Sequence, residues 1–141
     1  MALARAGVNT RGSHKPAYSN GGYMDITSAQ TLVMFLAHRF GTTIPKVRYG
    51  KLRRYDGFYP QSGKEIVLAK YFPAYIVVHE FAHHLDKTNN PQVKRWHTES
   101  FYHCLLLAID ATGWKRSNYP WEGEYPCLLK WAIRDGYRSQ K

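Results

Sequence analysis

The chain predicts an α+β fold, a small mostly antiparallel sheet with helices packed on one face, and three observations carry that expectation. Apolar residues recur at helical spacing in four separate stretches. Short β-prone runs crowd together between residues 46 and 70. Within that region Gln61-Ser62-Gly63-Lys64 has the composition of a hairpin turn. At 141 residues one domain is expected, large enough to bury a core without disulfide staples.

Residues 1–23, rich in Gly, Ala, Ser, Asn and Arg and without periodicity, read as an arm that is flexible or ordered by a partner, ahead of a single domain over 24–141. Thr27 with Gln30 three residues on is a capping-box signal, followed by the stripe Leu32, Val33, Leu36 and Phe40 and a stop at Gly41. Strands are expected at about Lys46 to Tyr49, Leu52 to Tyr59 and Glu65 to Lys70. A helix then runs from about Pro73, a favourable first-turn residue, to Asp86, with Val77, Val78, Phe81 and Leu85 as its buried stripe. Asn89-Asn90-Pro91 breaks the chain into a loop. A second apolar helix follows from Thr98 to Thr112, stopped by Gly113, and a last one from about Pro126 to Asp135 carries Leu128, Leu129, Trp131, Ala132 and Ile133. No internal repeat is present.

The chemistry concentrates in His79-Glu80-Phe81-Ala82-His83. Four-residue spacing on a helix places both imidazoles on one face, one turn apart, where their nitrogens can hold one metal ion. Glu80 borders that face, and a carboxylate there can take a proton from a metal-activated water. A random chain of this composition contains the pattern with a probability of roughly one per cent, so chance is a weak rival. The stronger rival is a helix that merely carries histidines. The uncharged run Pro73 to Val78 argues against it, because imidazoles and a carboxylate on so apolar a helix are costly without partners.

A catalytic zinc site needs three protein ligands and an open position. Downstream, His97 and Glu99 are the candidates for the third ligand, and His97, at the start of the apolar helix, is favoured. Asp86, at i+3 from His83, reads as a group outside the ligand set that orients an imidazole. His84 points about 100° away from His83 on an ideal helix and reads as a surface residue or an outer support. No single residue can be assigned to steady the tetrahedral oxyanion, because Tyr55, Tyr59, Tyr102, Tyr119 and Tyr125 all compete.

The order Tyr55-Asp56-Gly57-Phe58-Tyr59, Lys64 to Ala69, the His79 motif and then His97-x-x-x-Phe101 resembles the SprT-like zinc metallopeptidase domain, over residues 27–112. The resemblance implies a zincin-like metal helix, Zn2+ held by His79, His83 and His97, and Glu80 as the general base of peptide-bond hydrolysis. It also implies that the strand Glu65 to Lys70 is a sheet edge beside the metal helix, open to an extended protein or peptide substrate. Two departures stand out: Thr98 occupies a position where the family usually has Gly, and the four-cysteine zinc ribbon that many members carry has no counterpart here. Cys104 and Cys127 are the chain's two cysteines, and Cys104 reads as a core residue.

The charge is +10, with 20 Lys and Arg against 10 acids, clustered at Lys46 to Arg54, Lys94-Arg95, Lys115-Arg116 and Arg134 to Lys141. Such a surface suits nucleic acid as a partner, a use that fits SprT-like relatives acting on DNA-attached proteins, or an acidic protein, or solubility alone. The first thirty residues hold no apolar run of signal-peptide or membrane-spanning length, so a cytoplasmic location away from membranes is expected. Three functions remain open at this stage: a zinc metallopeptidase, a basic nucleic-acid- or assembly-binding protein with a vestigial or structural zinc site, and a zinc hydrolase of a non-peptide substrate.

Overall fold

A computed structural model describes residues 22–52 and 56–139; the expected arm up to residue 21, and Tyr55, lie outside the described residues. The architecture is α+β, with helices α1 (Ile26–Phe40), α2 (Ala74–Asn89), α3 (Glu99–Thr112) and α4 (Pro126–Arg134) and strands β1 (Lys46–Tyr49), β2 (Gly57–Phe58) and β3 (Glu65–Leu68). Two 3-10 turns, Arg116–Asn118 and Trp121–Gly123, link α3 to α4. Among the described residues no helix is long and apolar enough to cross a membrane.

Helix α1 starts two residues earlier than the capping-box signal suggests. Asp25, not Thr27, is its N-cap, accepting the Ser28 N–H at 2.8 Å, while Gln30 turns away and donates to the Val47 carbonyl at 3.2 Å. Asp25 and Thr27 are both good capping types, and the one whose side chain meets an unpaired first-turn N–H wins. At the other end Gly41 takes φ 68, a left-handed conformation that glycine adopts without a Cβ penalty, and its N–H closes the helix. Leu32, Val33 and Leu36 are fully buried, and Phe40 packs partly buried against the core.

The sheet is mixed rather than mostly antiparallel. Its order is β1-β3-β2, with β1 parallel to β3 in the register Val47↔Ile66 and β2 antiparallel to β3 in the register Phe58↔Val67. The hairpin expected around Gly63, which takes φ 72, joins β2 to β3. β1 and β2 lie on opposite sides of β3, β1 parallel to it and β2 antiparallel. This puts β3 in the centre. Ile66, Val67 and Leu68 are all buried, as befits an inner strand, and the expectation that β3 is an edge is overturned. The edge facing α2 is β2.

Helix α2 is the structural axis, packed against α1, α3, β2 and β3. Pro73 stands at its N-cap, and its first turn is pinned from outside: the Ala74 N–H donates to the Gly22 carbonyl at 2.7 Å and the Met24 N–H to the Phe72 carbonyl at 3.4 Å. Gly22 and Tyr23, read as the end of an arm, are thus tied to the start of α2, Tyr23 through a bridge to Pro73. Val77, Val78, Phe81 and Leu85 are buried as the stripe predicts. Cys104 is buried, and burial pushes its thiol up to about 12; Cys104 and Cys127 are both free. On α4 the stripe is narrower than expected, with Leu128 and Ala132 buried and Ile133 exposed.

Candidate metal centre

His79 and His83 lie one turn apart on α2, and both are buried. His97 arrives from the loop between α2 and α3, and its position follows from the start of α3. Thr98 is the N-cap of that helix, its hydroxyl accepting the Phe101 N–H at 3.2 Å, so the residue that departs from the family pattern anchors the backbone next to His97. Phe101, fully buried, supports all three rings, with centroids 5.0 Å from His79, 4.1 Å from His83 and 5.2 Å from His97.

Each of the three histidines offers one ring nitrogen to a set in which all lie within 4.8 Å of one another. Nε2 of His79 and Nε2 of His97 are 3.2 Å apart. Two nitrogens bound tetrahedrally at the usual zinc distance of ~2.0–2.1 Å sit about 3.3 Å apart, so these residues fit an ion of that size. The cluster is compatible with zinc without singling it out among divalent ions.

The orientation of His79 is set by a residue that local sequence reading did not reach. Glu124, just ahead of α4 and with its side chain buried, faces His79 Nδ1 at 2.7 Å and accepts the Tyr119 hydroxyl at 2.6 Å. With Nδ1–H donated to this carboxylate, Nε2 is left for a metal, the support arrangement common to metal-binding histidines. Burial pulls the His79 pKa down, but the Glu124 charge and hydrogen bond outweigh it and the net shift is upward. His83 is held well below the usual histidine range by burial and by the neighbouring His79 and His97 charges. Burial and His79 take His97 down to about 4. In the metal-free protein His79 therefore carries the extra proton, and a metal must displace it from Nε2. Because the His79 pKa is raised above the ordinary histidine value, zinc affinity is expected to start falling at a higher pH than a free imidazole would cause; zinc titrations between pH 5 and 8 check this.

Glu80 is buried beside the cluster, and its side-chain carboxylate accepts no hydrogen bond from the described residues. Burial, reinforced by Glu124 and opposed by His79, pushes its carboxyl up to about 7. Gly57 on β2 lies against it: a Cβ there would meet Ile76 Cγ2 at 2.6 Å and Glu80 Cγ at 3.1 Å, so only glycine lets the edge strand come this close to α2.

Other expected supports stand elsewhere. Asp86 reaches no imidazole; its Oδ1 accepts from Ser100 Oγ and from Asn90 Nδ2 at 3.1 Å, tying the end of α2 to the start of α3. His84 is not a surface residue: it is buried, with Nδ1 2.9 Å from the Tyr59 hydroxyl and Nε2 2.9 Å from the Thr43 carbonyl oxygen. Glu99, the rival third ligand, is half-exposed and paired with Arg134 at 2.7 Å. Of the tyrosines, Tyr59 is engaged with His84, Tyr102 donates to Asp135 at 2.9 Å and Tyr119 to Glu124, while Tyr125 stacks on His97 at 3.9 Å. Several basic residues are neutralised locally, Arg48 by Glu65, Arg116 by Asp110 and Arg134 by Glu99 and Asp135.

Two cavities meet at the cluster. One of about 310 Å³ is bounded by Asp56, Tyr75, Gly123 and Pro126, and one of about 130 Å³ by Phe58, Tyr59, Trp96 and His97. Gly57, His79, Glu80 and Tyr125 line both. No family model, curated protein or solved structure matches this chain.

Because Glu124 fixes the His79 ring and leaves Nε2 for the metal, Glu124→Gln is expected to weaken zinc binding about 10–100-fold, the usual effect of losing such a support, while the fold persists. Competition titration against a fluorescent chelator measures it. Unchanged affinity would show that the packing of Phe101 alone orients His79.

Proposed function

We propose that the chain is a zinc-dependent metallopeptidase of the SprT-like kind. The observation that carries the reading is the convergence of His79, His83 and His97 beside a buried Glu80 that lines both cavities. The three histidines would hold the ion, and zinc, when bound, would polarise a substrate carbonyl and make water more acidic. Glu80 takes the proton of the attacking water and delivers it to the leaving amine. Glu124 keeps His79 in the required tautomer, and Tyr125, over His97 at the meeting of the two cavities, is the tyrosine we assign to steady the oxyanion.

An edge strand beside the cluster suits an extended peptide: Gly57 and Phe58 of β2 border the cavity that holds the three histidines. A peptide lying along the outer edge of β2 adds a strand to the sheet while passing Glu80. The docking edge is therefore β2, not β3.

The test uses the purified full chain loaded with one equivalent of zinc and a set of unfolded proteins. Fragments with new amino termini are expected, stopped by a chelator and restored by zinc. No cleavage of any substrate by the zinc-loaded chain would contradict the reading and leave a metal-containing binding protein in its place.

A further inference from the structure

Glu124 braces His79, and Glu122, two positions before it, is held in turn by the segment that follows α4. The chain leaves α4 through Gly136, whose φ of 112 is open to glycine without a Cβ penalty, and the Tyr137 N–H closes back on the Ala132 carbonyl at 2.9 Å. From there the Tyr137 hydroxyl donates to Glu122 Oε1 and the Ser139 hydroxyl to Glu122 Oε2 at 2.6 Å. Residues 136–139 thus form a strap that engages both oxygens of one carboxylate.

The turn under the strap is stiff. Trp121 is 1% exposed, its indole N–H donates to the Arg116 carbonyl at 2.8 Å, and its ring lies 4.7 Å from Tyr119 and 6.4 Å from Tyr137. The Gly123 N–H donates to the Pro120 carbonyl and the Glu124 N–H to the Trp121 carbonyl, each at 3.0 Å. Glu122 faces the strap and Glu124 faces the metal cluster, so this one short turn joins the two. A 2.7 Å hydrogen bond weakens quickly as its distance and angle relax, and a loosened turn would leave the His79 ring less well oriented for a metal.

We infer that Glu122, Tyr137 and Ser139 are positioning residues for the metal centre: the strap fixes the Trp121–Gly123 turn, and the turn holds the Glu124 carboxylate on His79 Nδ1. The inference rests on His79, His83 and His97 being the ligands and not on which substrate is cleaved.

The experiment is a double-mutant cycle on zinc affinity, read by chelator competition with the full chain. Glu122→Ala removes both acceptors, while the pair Tyr137→Phe with Ser139→Ala removes only the two hydroxyls and keeps a ring against Trp121. Each is made in wild type and together with Glu124→Ala. In wild type both are expected to weaken zinc binding by about 3–10-fold, the scale of one or two hydrogen bonds, and Glu122→Gln, which keeps one acceptor oxygen, by less. With Glu124→Ala present, the same substitutions are expected to change affinity by less than about 2-fold, because the carboxylate through which they act is gone. Residues that merely stabilise the fold would move affinity equally in both backgrounds. Equal losses in both, or no loss in wild type, overturn the strap and leave the metal centre standing. A wild-type chain that binds no zinc overturns the metal centre and the strap with it.

Discussion

His97→Ala is expected to leave the purified protein with little zinc, its affinity reduced by well over the ~10–100-fold that loss of a mere supporting residue causes. His97 supplies one of three nitrogens that converge within 4.8 Å, and its Nε2 lies 3.2 Å from that of His79. With it gone, two histidines on one helix remain, too few for the three-ligand site that holds catalytic zinc. The control is Glu99→Ala, which should retain full zinc, because that carboxylate is engaged with Arg134 on the surface of α3. Elemental analysis of both variants decides between them. Full zinc in His97→Ala with loss in Glu99→Ala would invert the assignment.

Glu80→Gln separates metal binding from chemistry. The amide keeps the shape of the side chain but cannot take a proton, so hydrolysis should drop at least about 100-fold, the usual size of a general-base effect, with zinc content near one per chain. The same substitution has a stability signature. A buried carboxyl whose folded pKa is raised to about 7 favours the folded state while protonated, and that contribution is lost as pH rises from the ordinary carboxyl range through 7. Metal-free Glu80→Gln should therefore unfold at a higher temperature than metal-free wild type at pH 8, with the difference shrinking toward pH 5. Thermal unfolding at the two pH values reads it directly. Equal hydrolysis by wild type and variant would remove Glu80 from the mechanism.

What sequence shows about this site is what a single helix can encode. The spacing of His79 and His83, the carboxylate beside them and the stripe of Val77, Val78, Phe81 and Leu85 are local periodicities, and the structure places these residues on α2 and buries them. Glu124 was out of reach because it meets His79 across 45 positions, through two 3-10 turns whose path no periodicity encodes. The signal that pointed to it was weak: a glutamate among Tyr119, Trp121 and Tyr125, an aromatic setting in which a carboxylate needs a partner. His84 was misjudged for a related reason. The angle on a helical wheel places a side chain relative to its neighbours, but α2 is enclosed by α1, α3 and the sheet, so a residue turned away from the metal is still inside. The edge position of Glu65 to Lys70 was taken from the resemblance, and alternation within it could not correct that, being the same for a central strand as for an edge; the burial of Ile66, Val67 and Leu68 together marks the central strand.

The most direct test of the metal centre is anomalous diffraction at the zinc edge from crystals of the full chain grown with one equivalent of zinc. The expected result is one peak per chain, within coordinating distance of His79, His83 and His97 Nε2, with the remaining position on the ion facing the cleft beside Glu80. A peak held by a fourth protein ligand, or one lying away from these three histidines, would contradict it.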